Sequence, residues 1–166
     1  MQKELPGRPW PALSAGDLCR RTVIYTDAAM LIGEAARLMR THHVGSLPVV
    51  EERSPRQRIV VGMLTDRDIA SAVVAGDRDP HSLRVGDVMS SDVVSAREGD
   101  SVLDLLAVMR RKRVRRVPVV GTQGELIGMM ALDDILAGVA EQMQALAAAV
   151  GAAQKHEQGL RPGSAA

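Results

Sequence analysis

The hydrophobic positions of this chain fall into two patterns, one with helical spacing and one with the continuity of a buried strand. Apolar residues recur at helical spacing from Met30 to Met39, so we expect a helix there. Thr26 and Asp27 have side chains suited to capping the start of this helix. The helical pattern ends near His42.

Three short β-prone runs, Val23–Tyr25, Val44–Val50 and Ile59–Leu64, predict strands. The third run is almost wholly apolar, which is typical of a strand that is buried on both faces. Pro48 lacks a backbone N–H and therefore favours an edge position or an irregular strand start. The charged stretch Glu51–Arg58 contains a proline and is expected to form a loop.

The stretch Gly62–Ile69 has the pattern of a strand that turns directly into a helix. Gly62 leaves room for another group to approach the backbone, and Thr65 can cap a helix that continues to about Ala75. The Thr65 hydroxyl and the Asp68 carboxylate then lie close together at the helix start. Such a pair can hold the diol of a sugar, and the simpler alternative is that both residues only cap the helix.

The same order of motifs occurs twice, which indicates an internal repeat. The offset between the copies is 70 residues through the first helix and strands and 66 residues afterwards. Matched pairs are Asp17 and Asp87, Val23 and Val93, Met39 and Met109, Pro48 and Pro118, and Gly62 and Gly128. Each copy is predicted to contain, in order, helix, strand, helix, strand, strand and helix.

These boundaries divide the chain into four segments. Residues 1–13 are rich in proline and are expected to form an extended N-terminal arm. The first repeat covers residues 14–80, and turn-forming residues at its end separate it from the second repeat, residues 81–142. Residues 143–166 are expected to complete a final helix, which continues to about Val150, and to form a flexible tail.

Composition narrows the classes of function. The chain has 166 residues, a net charge of +1, and Trp10 and Tyr25 as its aromatic residues. Aromatic stacking, the usual grip on single-stranded nucleic acid, therefore has little support, and no overall field steers the protein to DNA or a membrane. The single Cys19 excludes an internal disulfide and fits a reducing, cytoplasmic location. Neither a signal peptide nor a membrane span is predicted, because the chain lacks long uninterrupted apolar runs.

Two pairs of motifs carry a family resemblance. They are Val44–Val50 followed by Gly62–Ile69, and Val114–Val120 followed by Gly128–Ile135. Over roughly residues 14–142 the chain resembles a tandem pair of CBS domains, the Bateman module. The resemblance implies an α+β fold with two β-α-β-β-α repeats in pseudo-two-fold symmetry, the sheets packed together and the helices outside. It also implies a homodimer.

The resemblance further implies that adenosine-containing ligands bind in two clefts between the repeats. ATP, ADP and AMP are the main candidates, S-adenosylmethionine and NAD are the next, and no cofactor is required. By position, Asp68 in the first cleft and Asp134 in the second match the aspartate that holds ribose hydroxyls. Thr65 matches its companion hydroxyl, whereas the second copy has Ala131 there and departs from the family pattern.

The phosphate and adenine contacts are also assigned by resemblance, because each cleft borrows groups from the opposite repeat. Arg115 and Arg116 would serve the first cleft, where guanidinium groups can pair with a phosphate. Their counterparts Gly45 and Ser46 leave the second cleft poorer in positive charge, and Arg67 is expected to compensate by pointing across. The residues expected near adenine are Val23, Ile24 and Tyr25 in one cleft and Val93, Val94 and Ser95 in the other.

These assignments favour a non-catalytic sensor that binds an adenosine-containing ligand and transmits its state to an effector protein that the sequence does not identify. Two alternatives stay open: a ligand-free dimeric scaffold, suggested by Ala131, and a nucleic-acid-binding protein that uses the basic run Arg110–Arg116. A simpler explanation of that run is a helix C-terminus beside a phosphate cleft. No nucleophile with an acid–base pair stands out, so an enzyme is not expected. His42 and His43 lack metal-ligand spacing, and no metal site is predicted.

Overall fold

The fold consists of two β-hairpins flanked by helices. In the computed structural model, residues 13–55 and 57–160 are described, with side chains to residue 156. The predicted N-terminal arm, residues 1–13, therefore lies outside the described residues except for Leu13. Residues 161–166 of the predicted tail lie outside them as well.

The two halves contain matching sets of elements. In chain order, the first half has α1 (Ala15–Leu18), α2 (Ile32–His42), β1 (Ser46–Ser54), β2 (Gln57–Thr65) and α3 (Asp66–Ile69), which continues as a π-helical segment (Ala70–Ala75). The second half has a 3₁₀ turn (Val85–Asp87), β3 (Ala96–Arg97), α4 (Val102–Lys112), β4 (Arg116–Val120), β5 (Leu126–Ala131) and α5 (Leu132–Leu160). β1 pairs with β2 and β4 with β5, both antiparallel, while β3 runs parallel to β4. The predicted α+β class is confirmed.

The hairpin of the first half is longer than predicted. The expectation of a loop over Glu51–Arg58 is wrong, because β1 continues to Ser54 and β2 begins at Gln57. In this extension Glu52 pairs with Arg58, and the Arg58 Nε lies 3.1 Å from the Glu52 Oε1. Opposite charges that face each other across two strands stabilise their pairing, so a charged stretch can belong to a sheet.

α2 begins later than its predicted caps. Thr26 and Asp27 do not cap this helix, because α2 starts at Ile32. The Asp27 Oδ1 instead accepts the N–H groups of Ala29 and Met30, at 2.7 and 2.9 Å, and closes a separate turn before the helix. Aspartate suits turns as well as helix caps, and for this reason the predicted start of α2 is wrong. The helix itself was located correctly by its apolar spacing.

The predicted strand at Val23–Tyr25 is also wrong. In this part of the chain only Thr26, the next residue, bridges to Val49 on β1. The Thr26 N–H donates to the Pro48 carbonyl at 3.1 Å, and the Thr26 carbonyl accepts the Val50 N–H at 2.8 Å. A single bridging residue is too short to extend the ladder into a strand.

Pro48 lies inside β1 at a position where its missing N–H is not needed. Its partner across the hairpin is Met63. The N–H and carbonyl of Met63 both bond to Ser90, each at 2.9 Å, and therefore do not seek a partner on Pro48. On its other side β1 meets, among the described residues, only the Thr26 bridge, which is close to the edge position expected for a proline.

The two halves exchange their first segments. α1 bonds to the second half, where the Ala15 N–H donates to the Asp100 carbonyl at 2.9 Å. Arg20 then pairs with Met129 of β5 through two backbone hydrogen bonds of 2.8 and 2.9 Å. Ser90, which occupies the matching position in the second repeat, pairs in the same way with β2 of the first half. The exchange is reciprocal, as pseudo-two-fold symmetry requires.

Each half has its own apolar core, and each core receives residues from the exchanged segment. The first core consists of Ile32, Ala35, Met39, Leu47, Val49, Leu64, Leu83 and Val85. The second core consists of Ala15, Ala96, Val102, Leu105, Met109, Val117, Val119, Met130 and Ile135. The predicted repeats, residues 14–80 and 81–142, therefore follow the order of the sequence but not the packing. The first segment of each repeat packs in the core of the other repeat.

Gly62 and Gly128 lie where the exchanged segments touch the strands. A Cβ atom at Gly62 would collide with the Met89 Sδ, and one at Gly128 would lie 2.7 Å from the Cys19 Sγ. Only glycine leaves enough room for these approaches. The sequence predicts a close approach at Gly62, and the approaching group is another segment of the same chain.

α5 is the longest element and contains 29 residues. It does not end near Val150, as predicted, but continues to Leu160, because the alanine, glutamine and lysine residues beyond Gly151 favour a helix. By length and composition alone, the window Leu132–His156 could cross a membrane, a criterion that helices of other kinds also meet. Only 11% of this window is buried, so most of α5 lies outside the packed body.

Candidate binding clefts between the two halves

The first cleft lies where the turn from β2 to α3 faces the segment that follows α4. Its volume is about 300 Å³. It is lined by Gly45, Ser46, Met63, Thr65, Asp66, Arg67, Asp68, Ser90, Asp92, Val93, Val94, Arg113, Val114, Arg115 and Arg116. Both halves contribute to this lining, which agrees with the prediction that each cleft borrows groups from the opposite repeat.

Thr65 and Asp68 hold each other in a capping box at the start of α3. The Asp68 N–H donates to the Thr65 hydroxyl at 3.2 Å, and the Thr65 N–H and hydroxyl donate to the Asp68 Oδ2 at 2.8 and 2.7 Å. Both residues therefore cap the helix, as the simpler alternative states. Capping occupies one carboxylate oxygen only. Within the described residues no group bonds to the Asp68 Oδ1, which leaves it able to accept hydroxyl groups of a ligand.

The opposite wall of the first cleft carries positive charge. Arg113 ends α4 in the left-handed conformation, with φ of 56°, and its N–H donates back to the Arg110 carbonyl. The chain then turns so that Arg113, Arg115 and Arg116 line the cleft, where Arg67 joins them from α3. None of these four guanidinium groups forms an ion pair with another described residue. They are suited to bind an anion such as a phosphate.

The basic run Arg110–Arg116 is divided between two places. Arg110, Arg111 and Lys112 form the last turn of α4, where cations are favoured by the helix dipole. The remaining arginines line the first cleft. The run is therefore divided as the simpler explanation describes, between a helix C-terminus and a cleft.

The second cleft occupies the matching position in the other half and has a volume of about 340 Å³. It is lined by Arg20, Thr22, Val23, Ile24, His42, His43, Val44, Ser46, Arg116, Met129, Met130, Ala131, Asp133 and Asp134. Asp134 has the place that Asp68 has in the first cleft, and its Oδ2 accepts the Ala131 N–H at 3.0 Å. Because Ala131 has no hydroxyl, the side-chain half of the capping box is missing here.

Asp134 also differs from Asp68 in that both of its oxygens are occupied. The Arg20 Nε donates to the Asp134 Oδ1 at 2.8 Å. The Asp134 side chain is 11% exposed and that of Arg20 is 76% exposed, so the arginine covers the carboxylate from the solvent side. In the second repeat the position of Arg20 is matched by Ser90, which lines the first cleft and carries no charge. A ribose hydroxyl would therefore compete with Arg20 for the Asp134 Oδ1, whereas the Asp68 Oδ1 has no such competitor among the described residues.

The residues predicted to contact adenine are divided between the clefts. Val93 and Val94 line the first cleft, Val23 and Ile24 line the second, and Tyr25 and Ser95 line neither. The Tyr25 ring lies against Arg58 instead, with the guanidinium carbon 4.6 Å from the ring centroid. Arg67, predicted to point across to the second cleft, lines the first, and Arg116 lines both.

Two histidines line the second cleft and are absent from the predicted site. His42 and His43 match Lys112 and Arg113 of the second repeat, 70 residues later. His43 ends α2 in the left-handed conformation, with φ of 53°, just as Arg113 ends α4. The repeat offset, applied to the basic run, is the sequence signal that identifies both histidines.

Cys19 lies next to the second cleft and packs against the second core. Burial raises the pKa of its thiol, which lowers the fraction of reactive thiolate at neutral pH. This environment fits a packing role, and the matching residue, Met89, packs against the first core in the same way. Within the described residues, no group of three His, Cys, Asp or Glu side chains is arranged to hold a metal ion.

Comparison with known proteins matches both halves of the chain to one domain. The profile of the CBS domain matches residues 15–75 and 85–141. The CBS domain-containing protein YhcV of Bacillus subtilis is 43% identical over 122 residues, which are 74% of this chain and 82% of that protein. The uncharacterized protein MK0525 of Methanopyrus kandleri is 33% identical over 125 residues, 75% of this chain, and the match spans 62% of that protein.

A solved structure shows the same arrangement of domains. It is the CBS domain pair of protein MJ0100 in complex with 5′-methylthioadenosine and S-adenosyl-L-methionine, with 26% sequence identity and a TM-score of 0.65. The match covers 74% of this chain and 96% of that one. It agrees with the predicted fold of two packed repeats, and the profile match ends at residue 141, before most of α5.

Proposed function

Because the chain belongs to the CBS domain family and contains a tandem pair of these domains, we propose that it is a non-catalytic regulatory module that binds an adenine nucleotide. ATP, ADP or AMP would occupy the first cleft, and the bound state would be transmitted to an effector protein. The module would act as a cytoplasmic homodimer. The function is thus to sense a ligand rather than to convert it.

The observation that carries this proposal is the free carboxylate oxygen of Asp68 opposite a set of guanidinium groups. Thr65 fixes the Asp68 Oδ2 in the capping box and so orients the Oδ1. Hydrogen bonds from ribose hydroxyls to a carboxylate are charge-assisted and therefore strong. Arg113 and Arg115 stand in the same cleft and come from the other half. A ligand with a diol at one end and phosphates at the other fits this distribution of charge.

The relative with bound ligands supports the nucleoside part of the proposal. The CBS domain pair of MJ0100 is in complex with 5′-methylthioadenosine and S-adenosyl-L-methionine, and these compounds share an adenosyl group. In this chain Val93 and Val94 supply an apolar wall for a base in the first cleft. The preference for a phosphorylated ligand is inferred from the arginines of this chain. S-adenosylmethionine and NAD therefore stay in the set to be tested.

Binding in the first cleft would connect the two halves. The ribose would bond to α3 of the first half and the phosphates to the segment after α4 of the second half. A ligand can shift a conformational equilibrium only by binding one state more tightly than another. Since the proposed contacts lie on both halves, nucleotide binding would favour the state in which these two elements have the correct spacing. An effector that recognises this state would respond to the nucleotide concentration.

The second cleft has a different role in this proposal. Its Asp134 is occupied by Arg20, Ala131 adds no hydroxyl, and Gly45 and Ser46 stand where the first cleft has arginines. It would bind the same nucleotide only weakly. One strong site in each chain is the expected stoichiometry.

Isothermal titration calorimetry with ATP, ADP, AMP, S-adenosylmethionine and NAD tests the proposal. We expect one site per chain with a preference for a nucleotide. Asp68→Ala should weaken binding at least tenfold, since a hydrogen bond to a charged group contributes about 1.5–3 kcal/mol. Asp134→Ala is the matched control, because it removes the equivalent helix-capping carboxylate from the second cleft and should leave this affinity unchanged.

Two calorimetric results would contradict the proposal. If none of the five compounds binds below millimolar concentration, the sensing function is excluded and the scaffold alternative is favoured. A scaffold would show the same melting temperature with and without these compounds, because a ligand that binds the folded state stabilises it. Equal losses of affinity in Asp68→Ala and Asp134→Ala would move the main site away from the first cleft.

A further inference from the structure

α5 carries a stripe of exposed apolar side chains that the rest of the described chain does not cover. The stripe consists of Leu136, Val139, Met143, Leu146 and Val150, whose side chains are 69%, 37%, 67%, 52% and 50% exposed. We propose that this stripe, called the seam below, pairs with the seam of a second copy of this chain in a two-stranded coiled coil. This proposal is independent of what the clefts bind.

The spacing of the seam is that of a heptad repeat. Its residues follow one another at intervals of three, four, three and four positions. This period of 3.5 residues is the pattern in which a helix supercoils around another helix, with apolar residues at the a and d positions. A helix that only rests on its own domain carries a broader apolar face with a period of 3.6 residues.

The domain itself packs against the beginning of α5 only. Ile135 is buried in the second core and Leu132 packs against it. Gly138 lies against Leu18, since a Cβ atom there would be 2.7 Å from that side chain. From Met143 to Val150 every residue is exposed. From Met143 to His156 the helix therefore extends for about 21 Å, and none of these residues belongs to either described core.

This extension has no counterpart in the first repeat and is not needed to complete the second. The helix of the first half ends at Ala75, and the CBS domain profile ends at residue 141. An exposed apolar surface of this kind marks an interaction site. The seam thus belongs to a separate interaction element that is continuous with the regulatory module.

The positions beside the seam are compatible with an identical partner. In a coiled coil the e and g positions select partners through charge. Between Leu136 and Val150 these positions are Ala140, Gln142, Ala147 and Ala149, all without charge. Two copies can therefore approach without repulsion, and the small alanines allow close contact. A seam present on every copy is also self-complementary about a two-fold axis.

A bilayer is a poorer occupant of this surface. Glu141 and Lys155 carry charge, and Gln142, Gln144 and Gln154 are polar within the same window. The large apolar side chains all lie on one stripe, whereas a membrane-crossing helix is apolar on all sides.

Disulfide cross-linking tests the seam directly. In a Cys19→Ala background, each of the five seam residues is replaced by cysteine in turn, and the variants are oxidised singly and in pairwise mixtures. Cross-links between equal positions are expected for parallel helices, and cross-links in mixtures are expected for antiparallel ones. Ala148→Cys, on the opposite side of α5, is the control and should form few cross-links. If no seam cysteine exceeds this control, the proposal is wrong.

A second comparison separates pairing from membrane binding. The double change Met143→Glu and Leu146→Glu should abolish the cross-link seen through Val150→Cys, whereas Ala145→Glu and Ala148→Glu should preserve it. Loss of this cross-link in both double variants, or in neither, would contradict the proposal. Vesicles of phosphatidylcholine and phosphatidylglycerol are used to test membrane binding. Flotation of the unmodified protein with these vesicles, lost on the seam double change, would assign the seam to a bilayer instead.

Discussion

The two clefts share a backbone frame and differ in the side chains that occupy it. In both, a strand turns into a helix whose third residue, Asp68 or Asp134, accepts the N–H of the residue before the helix, at 2.8 Å in the first cleft and 3.0 Å in the second. Thr65 and Asp68 then keep one oxygen free, whereas Arg20 occupies the corresponding oxygen of Asp134. The repeat has kept the geometry that packing requires, while the chemistry at the mouth of each cleft has diverged.

The two clefts also differ in the charge of the segment that follows α4 in one and α2 in the other. After α4 the chain places Arg113 and Arg115 in the first cleft. The matching positions after α2 are His43 and Gly45. The backbone after α2 and the backbone after α4 turn in the same left-handed conformation, so the backbone does not distinguish the clefts. Ligand preference is therefore expected to follow a few side chains, which point substitutions can exchange.

The largest effect is expected from removing a phosphate-facing arginine. Arg115→Gln should weaken ATP binding by roughly 10- to 100-fold, which corresponds to about 1.5–3 kcal/mol for a charged hydrogen bond, and should leave adenosine binding unchanged. Arg111→Gln, in the same basic run but outside both clefts, is the control and should have no effect. Calorimetry with both ligands measures the difference. A similar loss of adenosine affinity would show that Arg115 supports the fold of the cleft rather than a phosphate.

A smaller effect is expected from giving the second cleft the side chains of the first. Arg20→Ser combined with Ala131→Thr should release the Asp134 Oδ1 and complete the capping box. The stoichiometry for adenosine should then increase from one site to two per chain. Ala131→Thr alone should leave the stoichiometry at one, because Arg20 still covers the carboxylate. Two sites in this single variant would mean that Arg20 does not control access.

The smallest effect is expected from the reverse change in the first cleft. Thr65→Ala removes a capping hydroxyl, which should lower the free energy of unfolding by about 0.5–2 kcal/mol and weaken nucleotide binding a few-fold. Urea unfolding and calorimetry measure the two quantities. Ala131→Thr should shift stability in the opposite direction by less than this amount. Equal and opposite shifts would mean that both turns are strictly equivalent and that the asymmetry lies elsewhere.

Much of the fold could be predicted from the sequence because each structural motif occurs twice, at matched positions of the two repeats. The matched Pro48 and Pro118, with Gly62 and Gly128, located both hairpins, and the apolar spacing located α2. The errors came from local signals with two meanings. Asp27 is a good cap and also a good turn residue, and the charged stretch Glu51–Arg58 forms paired strand ends instead of a loop.

The first cleft was more predictable than the second. Thr65, Asp68, Arg115 and Arg116 line one cleft together, as the resemblance implies, while their contacts with a ligand stay a prediction. The pairing of Arg20 with Asp134 joins residues 114 positions apart. It depends on the exchange of segments between the halves, which no local pattern encodes.

The exchange of first segments has a consequence for the synthesis of the chain. α1 leaves the ribosome early, but the core that buries Ala15 is completed only by Met130 and Ile135. The first half likewise waits for Leu83 and Val85. The first core can be complete once Val85 has been synthesised, whereas the second core needs both Ala15 and Ile135, so α1 is expected to dock only after most of the chain has emerged.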